Sequence, residues 1–245
     1  MADVSEYFRP ASLAEALGFL ERPGAVLVGG GTKVNARPSA GPVAIVDLQA
    51  LPIAAIERDN GGLAIGATAT LRQLAEAAAV PAAVAQAARR EAPSTLRAMA
   101  TVGGCVATAD PSSELLASLL VHQAQVRLAG ADGPVSLTLP ALLADRRGLA
   151  GRIIVGVRIE TGGLSATART GRTTADRPIV AAVARRTADG RRYLALTGVA
   201  ATAVLVPADE HAADDLDPPG DFRGSGRYRR SLAAVLAGRV LEEIG

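Results

Sequence analysis

The chain has 245 residues, 49% of them hydrophobic and 20% charged, with a formal net charge of +2. That length can bury a large core as one big domain or two, and the composition is that of an ordinary soluble globular protein. The arginines are scattered rather than gathered into the basic stripe that a nucleic-acid surface needs, so no nucleic-acid partner is expected.

Taken in chain order, Met1 to Glu6 lack the basic-then-apolar run of a signal peptide. Ser12 followed by Glu15 reads as a capping box opening a helix to about Leu20, closed by Pro23-Gly24. Ala25–Val28 is a short strand that runs into Gly29-Gly30-Gly31-Thr32-Lys33. Val43–Leu48 and Leu63–Ala67 are further strands, the latter after an Asn60-Gly61-Gly62 turn. Thr70 caps a helix from Leu71 to Ala79, and Pro81 interrupts before an alanine-rich helix to about Glu91.

A second glycine segment, Thr101-Val102-Gly103-Gly104-Cys105, follows Leu96–Ala100. Asp110 then caps an apolar helix over Leu115–Leu120. Val126–Leu128, Val135–Leu137 and Ile153–Ile159 read as strands. Residues 161–176, rich in Gly, Thr, Ser and Arg, read as a linker or mobile loop. Ile179–Ala184 and Tyr193–Val199 form a hairpin across Asp189-Gly190. His211 to Arg227 reads as loop. Tyr228 to Ile244 closes the chain as a helix with Leu232, Val235, Leu236 and Val240 inward and Arg229, Arg230 and Arg239 solvated. Strands alternating with helices argue for α/β or α+β layers.

Cys105 is the sole cysteine, so an intrachain disulfide, a multi-cysteine metal site and a cluster held by this chain alone are excluded. The two histidines, His122 and His211, stand far apart, and no metal site is expected. No segment is long and apolar enough to span a membrane, and a cytoplasmic location is expected. Cys105 reads as a buried thiol rather than a nucleophile, because no basic neighbour is evident to activate it; no catalytic residue is assigned. His122 reads as packed or surface.

The two glycine segments carry the chemistry. Paired glycines let backbone approach a ligand closely and can aim successive N–H groups at one spot, a nest suited to phosphate oxygens. Either segment alone could equally be a tight turn beside a buried element. Two of them, each followed by hydroxyl or basic side chains, point to a diphosphate gripped from both sides.

Four stretches resemble the flavin-binding medium subunit of the molybdenum hydroxylases, the xanthine dehydrogenase and carbon monoxide dehydrogenase group. Tyr7-Phe8-Arg9-Pro10-Ala11-Ser12 with Ala14-Glu15-Ala16 resembles the family's opening. Val28 to Val34 and Thr101 to Glu114 resemble its two flavin loops, and Gly226 to Leu232 resembles the start of its last helix. The resemblance implies an α+β, two-subdomain FAD-binding fold of the vanillyl-alcohol oxidase (PCMH) type, residues 1–160 with halves of about 1–58 and 59–160. A shortened α+β C-terminal domain would follow over 161–245.

It further implies non-covalent FAD held by Val28, Gly29, Gly30, Gly31, Thr32, Lys33, Val34, Ala100, Thr101, Gly103, Gly104, Cys105, Thr108, Asp110, Ser113, Glu114, Ile154 and Arg169. Glu114 would accept from a flavin hydroxyl or a backbone N–H. Implied partners are a [2Fe-2S] small subunit, a molybdopterin large subunit and an acceptor such as NAD, quinone or oxygen. Cys105 and Thr108 stand where the family has asparagines, and Lys33 where it often has aspartate or serine. A cation there strengthens contact with a diphosphate. A stand-alone FAD oxidoreductase acting on its own small substrate, and a flavin-free relative, are the alternative readings.

Overall fold

A computed structural model describes residues 3–34, 41–173 and 176–245. The chain opens with β1 (Val4–Phe8), α1 (Leu13–Leu20), β2 (Ala25–Val28) and β3 (Val43–Asp47). These make a three-stranded parallel sheet of order β1-β3-β2. Ser12 caps α1 by accepting from the Glu15 amide at 3.2 Å. Ala16 packs on Val46 and Leu48 beneath it, while Phe8 stacks on Phe19 at 4.2 Å.

Next come β4 (Ile56–Asp59), β5 (Gly62–Gly66), α2 (Leu71–Glu76), α3 (Ala82–Glu91), α4 (Ser94–Arg97), α5 (Val102–Thr108), α6 (Glu114–Val121), β6 (Gln125–Gly130), β7 (Gly133–Thr138), α7 (Leu139–Ala144) and β8 (Arg152–Glu160). The strands form a five-stranded sheet of order β4-β5-β8-β6-β7, antiparallel throughout. Asn60 and Gly61 both take positive φ, +40° and +81°, which is what a tight two-residue hairpin demands. α2 is shorter than expected and ends at Glu76, but its Thr70–Gln73 capping box is complete.

The last part holds β9 (Leu164–Thr170), β10 (Val180–Arg186), β11 (Arg192–Thr197), β12 (Val204–Val206) and α8 (Gly226–Ile244), with sheet order β12-β11-β10-β9. Every residue of α6 is buried. It packs on α3 on one side and on β10 and β11 on the other, so an all-round apolar helix becomes the centre of the molecule.

Three expectations need correction here, the first being that Val235, expected inward on α8, is 51% exposed. Residues 164–170 are a strand, not a linker: β9 pairs residue for residue with β10 from Leu164↔Arg186 to Thr170↔Val180. Its alternation is of small residues, with Ala166 and Ala168 toward the α8 side of the core, so the period of two is faint in the sequence; Thr174 and Ala175 lie outside the described residues. Arg229 is not solvated but 3% exposed. Its guanidinium donates to the Ile179 and Gly198 carbonyls at 3.1 and 2.8 Å and pairs with Asp221 at 2.6 Å, fastening α8 to the sheet.

Candidate functional site: two glycine segments and a charged seam

β2 delivers the chain at Val28 to Gly29 and Gly30, then to Gly31 at φ +70° and a turn over Thr32, Lys33 and Val34. The amides of Gly29, Gly30, Gly31 and Thr32 have no acceptor among the described residues. This turn lies directly on the second segment. A Cβ built on Gly30 would stand 1.7 Å from the Met99 carbonyl oxygen and 3.1 Å from the Ala100 nitrogen. One on Gly29 would stand 2.6 Å from Thr101 Oγ1. The glycines are therefore what lets two segments distant in sequence touch backbone to backbone.

The second segment is not a nest. Thr101 is the N-cap of α5, and Val102, Gly103 and Gly104 form its first turn. The Val102 and Gly103 amides donate to the Ala69 and Ala67 carbonyls at 2.9 Å each. The Gly104 amide donates to Thr101 Oγ1 at 3.2 Å. With its donors taken, this segment contributes shape instead. Gly103 lets α5 close on β5, since a Cβ there would lie 2.9 Å from Ala67. Gly104 is exposed and bare, with only Thr101 Oγ1 near its missing Cβ. Of the two segments, only the first has a run of amides without an acceptor among the described residues.

A seam of ion pairs begins at that turn. Lys33 Nζ lies 3.4 Å from Asp110 Oδ2, across 77 residues of sequence. Asp110 also meets Arg177 at 2.9 Å, and Arg177 reaches Glu91 at 3.2 Å. Glu91 Oε2 accepts from Ser113 Oγ and the Leu115 amide. Glu114 lies between Arg90 at 3.4 Å and Arg169 at 3.1 Å. Among the described residues four cations thus face three carboxylates, an excess that suits an anionic ligand.

Burial pushes the Glu91 carboxyl up, against the pull of Arg177. Burial acts the same way on Asp110, but Arg177 and its bonds to Ser112 hold that carboxyl below the ordinary range. Asp110 is not the cap of α6; that is Ser113, whose Oγ accepts from the Leu116 amide. Asp110 instead accepts from the Ser112 amide and hydroxyl. Glu114 pairs with arginines rather than with a backbone N–H.

Cys105 is half-buried in α5, and burial followed by the Glu91 charge raises its thiol above the ordinary value, which disfavours the thiolate that a nucleophile needs. Thr108 ends α5 and Ala100 packs in the core. Ile154 lies on β8 opposite Leu128, its side chain in the main core. Among the described residues no cluster of His, Cys, Asp or Glu could hold a metal ion, and no helix is long and apolar enough to cross a membrane.

Sequence reasoning missed Arg90, Glu91 and Arg177. The first two end an alanine-rich helix, where charged residues normally read as solvated. Glu91 is in fact 6% exposed because α6 covers it. Arg172 pairs with Asp176 at 3.5 Å. Both line a cleft of about 210 Å³ with Arg177, Ile179, Phe222 and Arg223.

Comparison with known proteins agrees with this architecture. Residues 3–159 match the family model of the FAD-binding domain in molybdopterin dehydrogenase. The uncharacterized Escherichia coli (strain K12) protein YgfM is 32% identical over 251 residues, covering 95% of this chain and 93% of that protein. A carbon monoxide dehydrogenase chain from Hydrogenophaga pseudoflava superposes with a TM-score of 0.89 at 23% identity, covering 98% of this chain and 96% of that one. A chain of quinoline 2-oxidoreductase from Pseudomonas putida 86 gives 0.86 at 24%, with the same coverage. With the family model spanning both glycine segments and a relative above 30% identity over nearly the whole length, the chain belongs to the family of FAD-binding domains of molybdopterin dehydrogenases, and its cofactor is FAD.

Proposed function

We propose that this chain is the electron-transferring FAD subunit of a molybdenum hydroxylase-type dehydrogenase. The observation that carries the proposal is the pairing of four amides that have no acceptor among the described residues, Gly29 to Thr32, with the adjacent Lys33 cation and the open surface of Gly104. A diphosphate takes hydrogen bonds from such amides and charge from Lys33.

Val28 and Val34 bound that turn. Ala100, Thr101, Gly103, Cys105 and Thr108 form the wall against which the cofactor lies, with Ile154 beneath and Asp110, Ser113, Glu114 and Arg169 at the edge. FAD is held without a covalent bond. When bound, FAD supplies an isoalloxazine able to take up electrons and pass them on. This chain's own residues bind, orient and screen it. Residues 1–58 and 59–160 act as the two halves of the binding unit, and 161–245 as the body that covers it.

Electrons enter from a [2Fe-2S] partner that is fed by a molybdopterin subunit, and leave to NAD, a quinone or oxygen. The test is the visible spectrum of the purified chain with FAD, followed by rapid mixing with a reduced two-iron cluster protein. Bleaching of bound flavin by that partner is the expected result. A chain that takes up no FAD sinks the proposal, and flavin bleached by an organic substrate without partners would assign a stand-alone oxidoreductase instead.

A further inference from the structure

At the far end of α3 and α6 from the charged seam lies a cleft of about 430 Å³, within the size range of small-ligand sites. The two helices run antiparallel. Arg90 and Glu91 at the end of α3 meet Glu114 and Leu115 at the start of α6, which brings Ala82 and Ala83 at the start of α3 into one cleft with His122, the C-cap of α6.

Three independent features converge there. First, α3 begins on Pro81 without a side-chain cap and without an acidic residue in its first turn. Its earliest helical bond runs from the Ala85 amide to the Pro81 carbonyl, and the amides of Ala82, Ala83 and Val84 have no acceptor among the described residues. Such an end carries partial positive charge and unfilled donors. Second, Arg58 lines the cleft and has no carboxylate partner among the described residues, whereas the neighbouring Arg158 pairs with Asp59. Third, His122 lines the same cleft at 1% exposure, and neither ring nitrogen has a hydrogen-bond partner among the described residues. A buried polar group left so is unfavourable and marks a missing partner.

The groups that would oppose an anion are already engaged. Arg185, 2% exposed, donates to the carbonyls of Val121, Thr161 and Gly162 and holds the Glu160 carboxylate at 3.2 Å. That guanidinium covers the negative end of α6 and removes those carbonyls from the cleft's electrostatics.

We propose that this cleft binds a small oxyanion, a carboxylate or a phosphate group, on the open end of α3, with Arg58 as its counter-charge and His122 as a buried hydrogen-bonding partner. It is a site separate from the glycine turns, and its existence does not depend on FAD binding. The test is amide NMR of the full chain titrated with sodium phosphate, with sodium acetate, and with sodium chloride at matched ionic strength.

Saturable shifts at the Ala82 and Ala83 amides and at the His122 ring nitrogens are expected with one or both oxyanions, at Kd of roughly a millimolar. Saturation by phosphate alone assigns a phosphate ligand, and by acetate alone a carboxylate. Arg58→Ala, an exposed change, should weaken binding about tenfold. Ala82→Pro should weaken it as well, because proline is tolerated at the first helical position and removes one donor. Shifts that rise linearly to about 50 mM, that chloride reproduces, or that both variants leave unchanged would overturn the site.

Discussion

Gly30 presses on the carbonyl of Met99 so closely that a side-chain carbon on Gly30 would sit 1.7 Å from its oxygen. The contact is between main chains, which have little room to give. Gly30→Val is therefore expected to destabilise the fold itself, by about 3 kcal/mol or more. Gly104→Val meets only its own N-cap hydroxyl at 3.0 Å, so that variant should stay folded and lose FAD. Thermal unfolding and retained flavin absorbance, measured on both, separate the two roles. Full flavin content in a folded Gly104→Val protein would remove that surface from the site.

The Lys33–Asp110 pair is exposed on the lysine side, 48% of the side chain, so Lys33→Gln should change stability by less than about 1 kcal/mol. FAD affinity should fall about tenfold, because a charge-assisted contact with the diphosphate is lost. Flavin fluorescence titration reads the second effect and urea unfolding the first.

Arg177→Gln leaves the carboxylate of the buried Glu91 side chain without its cation, and should lower stability by about 2 kcal/mol. Without Arg177, burial of Glu91 raises its carboxyl further, and the folded protein takes up a proton there. Stability contributed by that proton is present at low pH and lost as pH rises through the folded value. Arg177→Gln should therefore lose most stability at the alkaline end, and adding Glu91→Gln should restore part of it. Urea midpoints of the single and double variants between pH 5 and 8 check this. Strict additivity would contradict the pairing.

Burial, with help from Arg185, pushes the His122 imidazole down to about 3. It is neutral in the folded chain at every physiological pH, while the unfolded chain takes up a proton near pH 6.5. The sign follows: above that pH the group contributes nothing, and as pH falls toward the folded value stability is progressively lost. By pH 5 the loss is about 2 kcal/mol. His122→Leu should flatten the fall in melting temperature between pH 7 and 5. An unchanged slope would assign it to other groups.

The Asp221–Arg229 contact adds an acid limit at the C-terminal helix. The hydrogen bond from Arg229 holds the Asp221 carboxyl down at about 2. A depressed carboxyl contributes stability above its unfolded value and loses it as pH falls from about 4 to about 2. Asp221→Asn should remove that acid-side step, and Arg229→Gln should weaken α8 docking at all pH by about 3 kcal/mol, since buried carbonyls of Ile179 and Gly198 lose their donor. Helical circular dichroism during acid titration reports both.

Local chemistry was legible in the sequence wherever one residue type serves one local demand. Ser12 and Thr70 cap the helices they announce, Asn60-Gly61 turns its hairpin, and the two glycine segments with their flanking motifs identify the family. Tertiary structure decided the rest. Gly103 and Gly104 sit in a helix where their amides are already engaged, because Ala67, just past β5, and Thr101 are close enough to accept from them. Arg229 and Glu91 look like surface residues on a helical wheel and are buried, because a second layer covers the face that periodicity assigns to water. Arg177 joins the site only because the residues leading into β10 lie beside the end of α3, where Arg177 donates to Glu91. Residue pattern reports what each segment prefers on its own; the partners that neutralise a buried charge lie tens of residues away, and only packing brings them together.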